Sequence, residues 1–165
     1  MARARRLADL RAGGLVRYRY DDVRASDVLS AWLQHLLLCA EPAPGAALRT
    51  TWQARDARFS LRPCENPREV LRDLLLLYER GLSEPLMFFP KSAWKYVRKN
   101  DSASAAAGVW RSTKQHPFGE EADAAYRLAL RGLPDPMGEG FAAFATCAHA
   151  VFDPLLLCLD DAELQ

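Results

Sequence analysis

The chain has 165 residues, half of them apolar and 26% charged, which suits a globular domain with its own core rather than a disordered or fibrous chain. Its formal net charge is only +1, so any contact with nucleic acid has to come from a local basic patch and not from the field of the whole molecule. The longest apolar runs, LLLL at 74–77 and LLLCL at 155–159, are far too short to span a bilayer.

The opening MARARRLADLRAGG is basic but lacks the apolar stretch of a secretory signal. The whole of 1–165 reads as a single domain, with 1–12 its poorly ordered or linker-like start. Gly13 and Gly14 break any helix begun there. LVRYRY (15–20) alternates in a β-favouring composition and predicts a strand. Ser26 or Asp27 then caps a helix to about Cys39, whose wide apolar face is Val28, Leu29, Trp32, Leu33, Leu36 and Leu37. EPAPG (41–45) stops it.

LRTTWQA and ARFSLRP, either side of Arg55-Asp56, predict a hairpin. NPRE (66–69) predicts a helix start, with Asn66 as cap, Pro67 in the first turn and Glu69 reaching back; Gly81 is the natural stop. Beyond Pro90 the pattern is helical at about 90–99, 102–114, 120–131 and 138–152, and Pro154 is expected to interrupt or kink the chain after that. The fold class is therefore α+β (mixed α/β), a small sheet flanked by several helices.

Little in this chain looks like catalytic machinery. It has no GxSxG elbow and no phosphate-binding loop, and its cysteines (39, 64, 147 and 158) form no CxxC pair. Three of those cysteines sit in leucine- or alanine-rich surroundings, which fits small buried thiols and a reducing cytoplasm. His35, His116 and His149 are scattered singly, and His35 on a leucine-rich helix reads as a packed, hydrogen-bonded side chain. No metal, cofactor or small-molecule ligand is expected. A metal-dependent nuclease places an acid and a lysine at alternate positions of a strand, pointing at one face. Here those positions hold Arg17 and Arg19, two cations that repel a divalent ion. Asp21 and Asp22 come next as neighbours on opposite faces and suit a turn.

Lys91, Lys95, Arg98 and Lys99 fall on one stripe of the helix that starts near Pro90. Such a stripe either holds DNA phosphates or an acidic partner, or is simply a solvated face. Arg3, Arg5, Arg6 and Arg11 admit the same two readings. Phe88, Phe89 and Trp94, in SEPLMFFPKSAW (83–94), are either core or a contact surface on which single-stranded bases stack.

LYERGLSEPLMFFPKSAWKY (77–96) resembles the carboxy-terminal region of the RecC family, subunits of bacterial exodeoxyribonuclease V. The family carries a helix ending LY-x-x-G and then a P-L-x-F-F-P-K-S-A-W segment. GGLVRYRYDDVRASDVLSAWLQHLLLCA (13–40) resembles the family's strand and its W-x-x-H-L helix, here Trp32, His35 and Leu36. EEADAAYRLALRG, with Phe141, Phe144 and Phe152 after it, resembles its closing helices. The resemblance implies the last portion of a much longer, non-catalytic subunit that works with RecB and RecD on DNA double-strand breaks, with no membrane. It also implies a restriction-endonuclease-like fold without the active site, Arg17 and Arg19 standing where an active enzyme keeps its acid and lysine. The alternatives from other classes are a residual Mg²⁺-dependent nuclease and a free-standing DNA-binding module. In the family setting Phe88 and Phe89 are expected to be largely buried, with Lys91 and Lys95 facing outward.

Overall fold

A computed structural model describes residues 9–115 and 117–163, the last three by their backbone alone. The expectations for Arg3, Arg5, Arg6 and His116 lie outside these residues. The described chain forms two compact units, one up to Asp73 together with the residues from Leu155 onward, the other Leu74–Pro154.

The first unit is built on a five-stranded sheet of order β1 (Leu10–Arg11), β2 (Gly14–Tyr18), β3 (Thr50–Gln53), β4 (Arg58–Leu61) and β5 (Leu159–Glu163). Only β2 and β3 run parallel, and helix α1 (Ala25–Ala40) makes the crossover between them. Cross-strand register explains the core. Leu15, Thr50 and Leu61 stand in one row, and Arg17, Trp52 and Phe59 in the next, on the same sheet face. Against that face α1 buries Val28, Ala31, Trp32, His35 and Leu36, its apolar stripe at helical spacing. The other face keeps Val16, Tyr18 and Gln53 exposed. Gly14 is indispensable where β2 opens: its φ is +107°, and a Cβ there would lie 2.1 Å from the Arg49 carbonyl oxygen, which accepts the Leu15 N–H.

Several boundaries differ from the sequence expectation. The strand predicted at 15–20 ends at Tyr18, although the Arg19 N–H still donates to the Gln53 carbonyl. The cap of α1 is Arg24, ahead of Ser26, and Asp27 instead reaches back to accept the Arg24 N–H at 3.0 Å. β1 and β5 had no sequence signal. β5 is LDDAE, a poor strand former, and its conformation comes from the backbone ladder offered by β4.

Helix α2 (Pro67–Ser83) starts where NPRE predicts, with the Asn66 carbonyl accepting from Val70. Gly81 does not end it. The residue lies within the last turn, and Ser83 closes the helix by donating its hydroxyl to the Arg80 carbonyl.

The second unit carries α3 (Pro90–Arg98), α4 (Ala103–Trp110), a 3₁₀ turn (Glu120–Ala122), α5 (Ala124–Ala129) and most of α6 (Phe141–Cys158). Ser102 caps α4 by accepting the Ala105 N–H, and Asp123 caps α5 by accepting that of Ala125. The single helix predicted over 120–131 is thus divided at Asp123. Pro154 does not interrupt α6, which runs on to Cys158. By length and composition α6 is apolar enough to cross a membrane, but Phe144, Cys147, Ala148, Val151 and Phe152 on it are buried in protein.

Candidate functional site

Arg17 and Arg19, the two cations at alternate positions, turn toward α1. Arg17 donates twice to the Gln34 side-chain oxygen, at 2.9 and 2.6 Å, and once to Asp9 at 3.1 Å. Arg19 donates to both oxygens of Asp27, at 3.0 and 3.1 Å, and to Asp21 at 3.3 Å. Asp27 and Gln34 lie two helical turns apart, so alternate residues at the end of β2 and just beyond it reach separate turns of one stripe of α1. Ser30, midway along that stripe, accepts from Gln34. The pair is a brace between strand and helix, with less than a third of either side chain exposed.

The neighbouring acids are also engaged. Asp21 accepts the Asp22 N–H, and that bond, helped by the nearby Arg24 and Arg19, lowers its pKa against the opposing effect of desolvation. Asp22 pairs with Arg55 at 2.7 Å. The two carboxylates belong to a turn held by arginines, and among the described residues no group of three or more His, Cys, Asp or Glu side chains gathers as a metal centre.

His35 is fully buried. Its Nε2 lies 2.8 Å from the Arg62 carbonyl oxygen, which makes Nε2 the donor and leaves Nδ1 to accept from the Thr50 hydroxyl at 3.0 Å. Both ring nitrogens are satisfied in the neutral form. Burial pushes the imidazole below its ordinary pKa of 6.5, opposed by the bond to Arg62. The consequence has a definite sign. Above 6.5 the ring is neutral folded or unfolded; below it the unfolded chain takes up a proton that the folded chain resists. Stability should therefore fall as pH drops from about 6.5 toward 5. Urea midpoints measured across that range should show the decline in the native protein and lose its histidine part in His35→Gln. Identical slopes in the two proteins would refute the assignment. Trp32, in the same helix, is fully buried with its ring stacked against His35.

SEPLMFFPKSAW holds the aromatic core of the second unit. Phe89 is 1% exposed, and its ring centroid lies 4.2 Å from that of Trp110, 5.2 Å from Tyr126 and 6.2 Å from Phe144. Phe88 is less enclosed than Phe89. It is half-buried beside Phe152, which also meets Trp94 at 5.1 Å. Pro90 begins α3, and the next two N–H groups, of Lys91 and Ser92, donate to the carboxylate of Glu120 at 3.0 and 2.8 Å. The Ser92 hydroxyl donates to the same carboxylate at 2.8 Å. Glu120 is 5% exposed, a buried anion placed at the positive end of a helix dipole. Sequence reasoning missed this residue. An acid 28 positions away has no local signature as a cap.

Lys91, Lys95 and Lys99 are exposed along α3, whereas Arg98 is half-buried with its guanidinium carbon 5.4 Å from the Trp94 ring centre. Partial burial lowers the Arg98 pKa. The four-residue stripe is thus three solvated lysines and one arginine tied to the aromatic cluster.

The model of the RecC C-terminal domain family matches residues 4–101, which takes in β1 to β4, α1, α2, α3 and the whole SEPLMFFPKSAW segment. The chain belongs to the RecC family. It is 32% identical over 125 residues to the RecBCD enzyme subunit RecC of Mycobacterium tuberculosis H37Rv, covering 70% of this chain and 11% of the relative. With the RecBCD enzyme subunit RecC of Escherichia coli K12 it shares 29% identity over 101 residues, 58% of this chain and 9% of that one. The chain spans about a tenth of the length of these RecC relatives. The matched RecC segment contains the Arg17–Arg19 brace and the start of α3, while Glu120, which caps that start, lies beyond it.

Proposed function

We propose that this chain is a non-catalytic, nuclease-like C-terminal domain of a RecC subunit. In that role it serves assembly with RecB and RecD in the cytoplasm and guides DNA strands during double-strand-break repair by homologous recombination. The observation that carries the reading is the Arg17–Arg19 brace. The alternate positions at which a restriction-endonuclease-like fold would present its acid and lysine carry guanidinium groups committed to Gln34 and Asp27. A strand–helix–strand core with β2 parallel to β3 is compatible with that fold.

Two surfaces support the assembly and guidance roles. Leu75, Tyr78 and Leu82 fall on one stripe of α2 and are 63, 64 and 70% exposed, an apolar stripe left open to a partner. Lys91 and Lys95 on α3 and Lys99 at its C-cap present three exposed cations.

The experiment is a cleavage assay with Mg²⁺ on linear, nicked and forked DNA. No cleavage is expected; nicking that disappears in Asp21→Asn or Asp22→Asn would refute the non-catalytic reading. If the lysines guide DNA, the triple change of Lys91, Lys95 and Lys99 to Gln should weaken fork binding and lower the salt slope by roughly one unit for each phosphate no longer neutralised. An unchanged slope would remove DNA guidance from this face.

A further inference from the structure

Helix α2 is one continuous helix of 17 residues, about 25 Å long, and none of its residues is buried. Leu71, Leu75, Tyr78 and Leu82 recur along it at intervals of four, three and four, the spacing of a coiled-coil seam. Leu71 is half-buried and the other three are exposed. The two flanks of the seam differ. On one, Leu74 is half-buried and Gly81 is backed by Leu86, whose side chain would lie 3.0 Å from a Cβ at that position. The other flank carries Arg72 and Glu79, seven residues apart and both exposed. Arg72 pairs with its own neighbour Asp73 at 3.0 Å, and among the described residues no ion pair engages Glu79.

We propose that this seam is an interface between two copies of the chain, with their α2 helices antiparallel. Leu75 and Leu82 hold one of the two core positions of the heptad and Leu71 and Tyr78 the other, so Arg72 and Glu79 each follow directly after a core position. Antiparallel pairing sets Leu75 beside Tyr78 of the second copy, and Leu71 beside its Leu82. Arg72 then faces Glu79 of the second copy, and the two-fold axis repeats the same pair in reverse. Parallel pairing gives no such match, because Arg72 and Glu79 would face Pro67 and Leu74. An unrelated helix would have to bring its own charges in this order, whereas a second copy already carries them.

Apolar burial along the seam supplies the affinity, and the charged flank chooses the orientation. Exposed ion pairs add little attraction of their own, but like charges set opposite each other select strongly against a wrong pairing. The seam is only two heptads long, so the dimer should form at micromolar concentrations and dissociate on dilution. The inference goes beyond assembly with RecB and RecD and does not depend on it. Loss of the dimer would leave the cleavage and fork-binding outcomes as they stand.

The test is sedimentation equilibrium of the purified chain from low micromolar to submillimolar concentration, which should fit a monomer–dimer equilibrium. Leu75→Glu, at an exposed position where folding is not at risk, should leave only monomer, with far-UV circular dichroism as the check on its helices. Arg72→Glu and Glu79→Arg each put like charges opposite one another and should raise the dimer Kd by roughly tenfold or more. An equimolar mixture of those two variants restores both pairs and should dimerise as tightly as the parent, a rescue that parallel helices cannot give. The proposal is overturned by a monomer at every concentration, by a dimer that Leu75→Glu leaves intact, or by a mixture that binds no tighter than the single variants.

Discussion

Phe89→Ala should destabilise the helical unit by about 3–5 kcal/mol, the range for emptying a buried aromatic site in a well-packed core. The side chain is enclosed by Trp110, Tyr126 and Phe144, which come from three different elements and cannot all collapse into the space it leaves. Ring edges and faces among the four also add attraction beyond apolar burial alone. Urea unfolding monitored by tryptophan fluorescence measures the effect, with Lys95→Ala as the control at an exposed position of the neighbouring helix α3, expected within about 0.5 kcal/mol of the parent. A loss below about 1 kcal/mol would mean that Phe89 does not organise this core.

Glu120→Ala should cost about 2–4 kcal/mol, because it removes the acceptor for three donors at once. Two of those are backbone N–H groups in the first turn of α3, and Ser92 is fully buried, so water does not readily replace the carboxylate. Glu120→Gln keeps one acceptor oxygen and the shape but loses the charge facing the helix dipole; it should fall between alanine and the parent. Hydrogen exchange gives the local check. The Lys91 and Ser92 amides should lose protection in Glu120→Ala well before amides of α1 do. Equal protection of these amides in parent and variant would show that the cap is not what holds the start of α3.

Much of the local structure was legible in the chain. The alternation of LVRYRY, the helical stripe through Trp32 and Leu36, and the Asn66-Pro67 start each lie within one element, where spacing alone distinguishes strand from helix. The P-K-S-A-W start of α3 was legible too, since proline favours a first helical turn. Local rules broke down where tertiary packing intervened. Pro154 is absorbed within α6, where Val151, Phe152 and Leu155 around it are buried, because packing outweighs a propensity cost of about 3 kcal/mol; Gly81 stays in the last turn of α2 although no residue of that helix is buried.

By itself the sequence determined the class of fold, the family signature in 83–94, and the presence of two cations, Arg17 and Arg19, at alternate positions of one short segment. Tertiary structure alone decided what those residues do. Arg17 and Arg19 reach Gln34 and Asp27, Glu120 accepts from a helix start 28 residues before it, and His35 finds the Thr50 hydroxyl and the Arg62 carbonyl. These are contacts across the chain between groups whose partners no local spacing encodes. A charged or polar side chain carries the same letter whether it faces solvent or a buried partner, and only the fold supplies the partner.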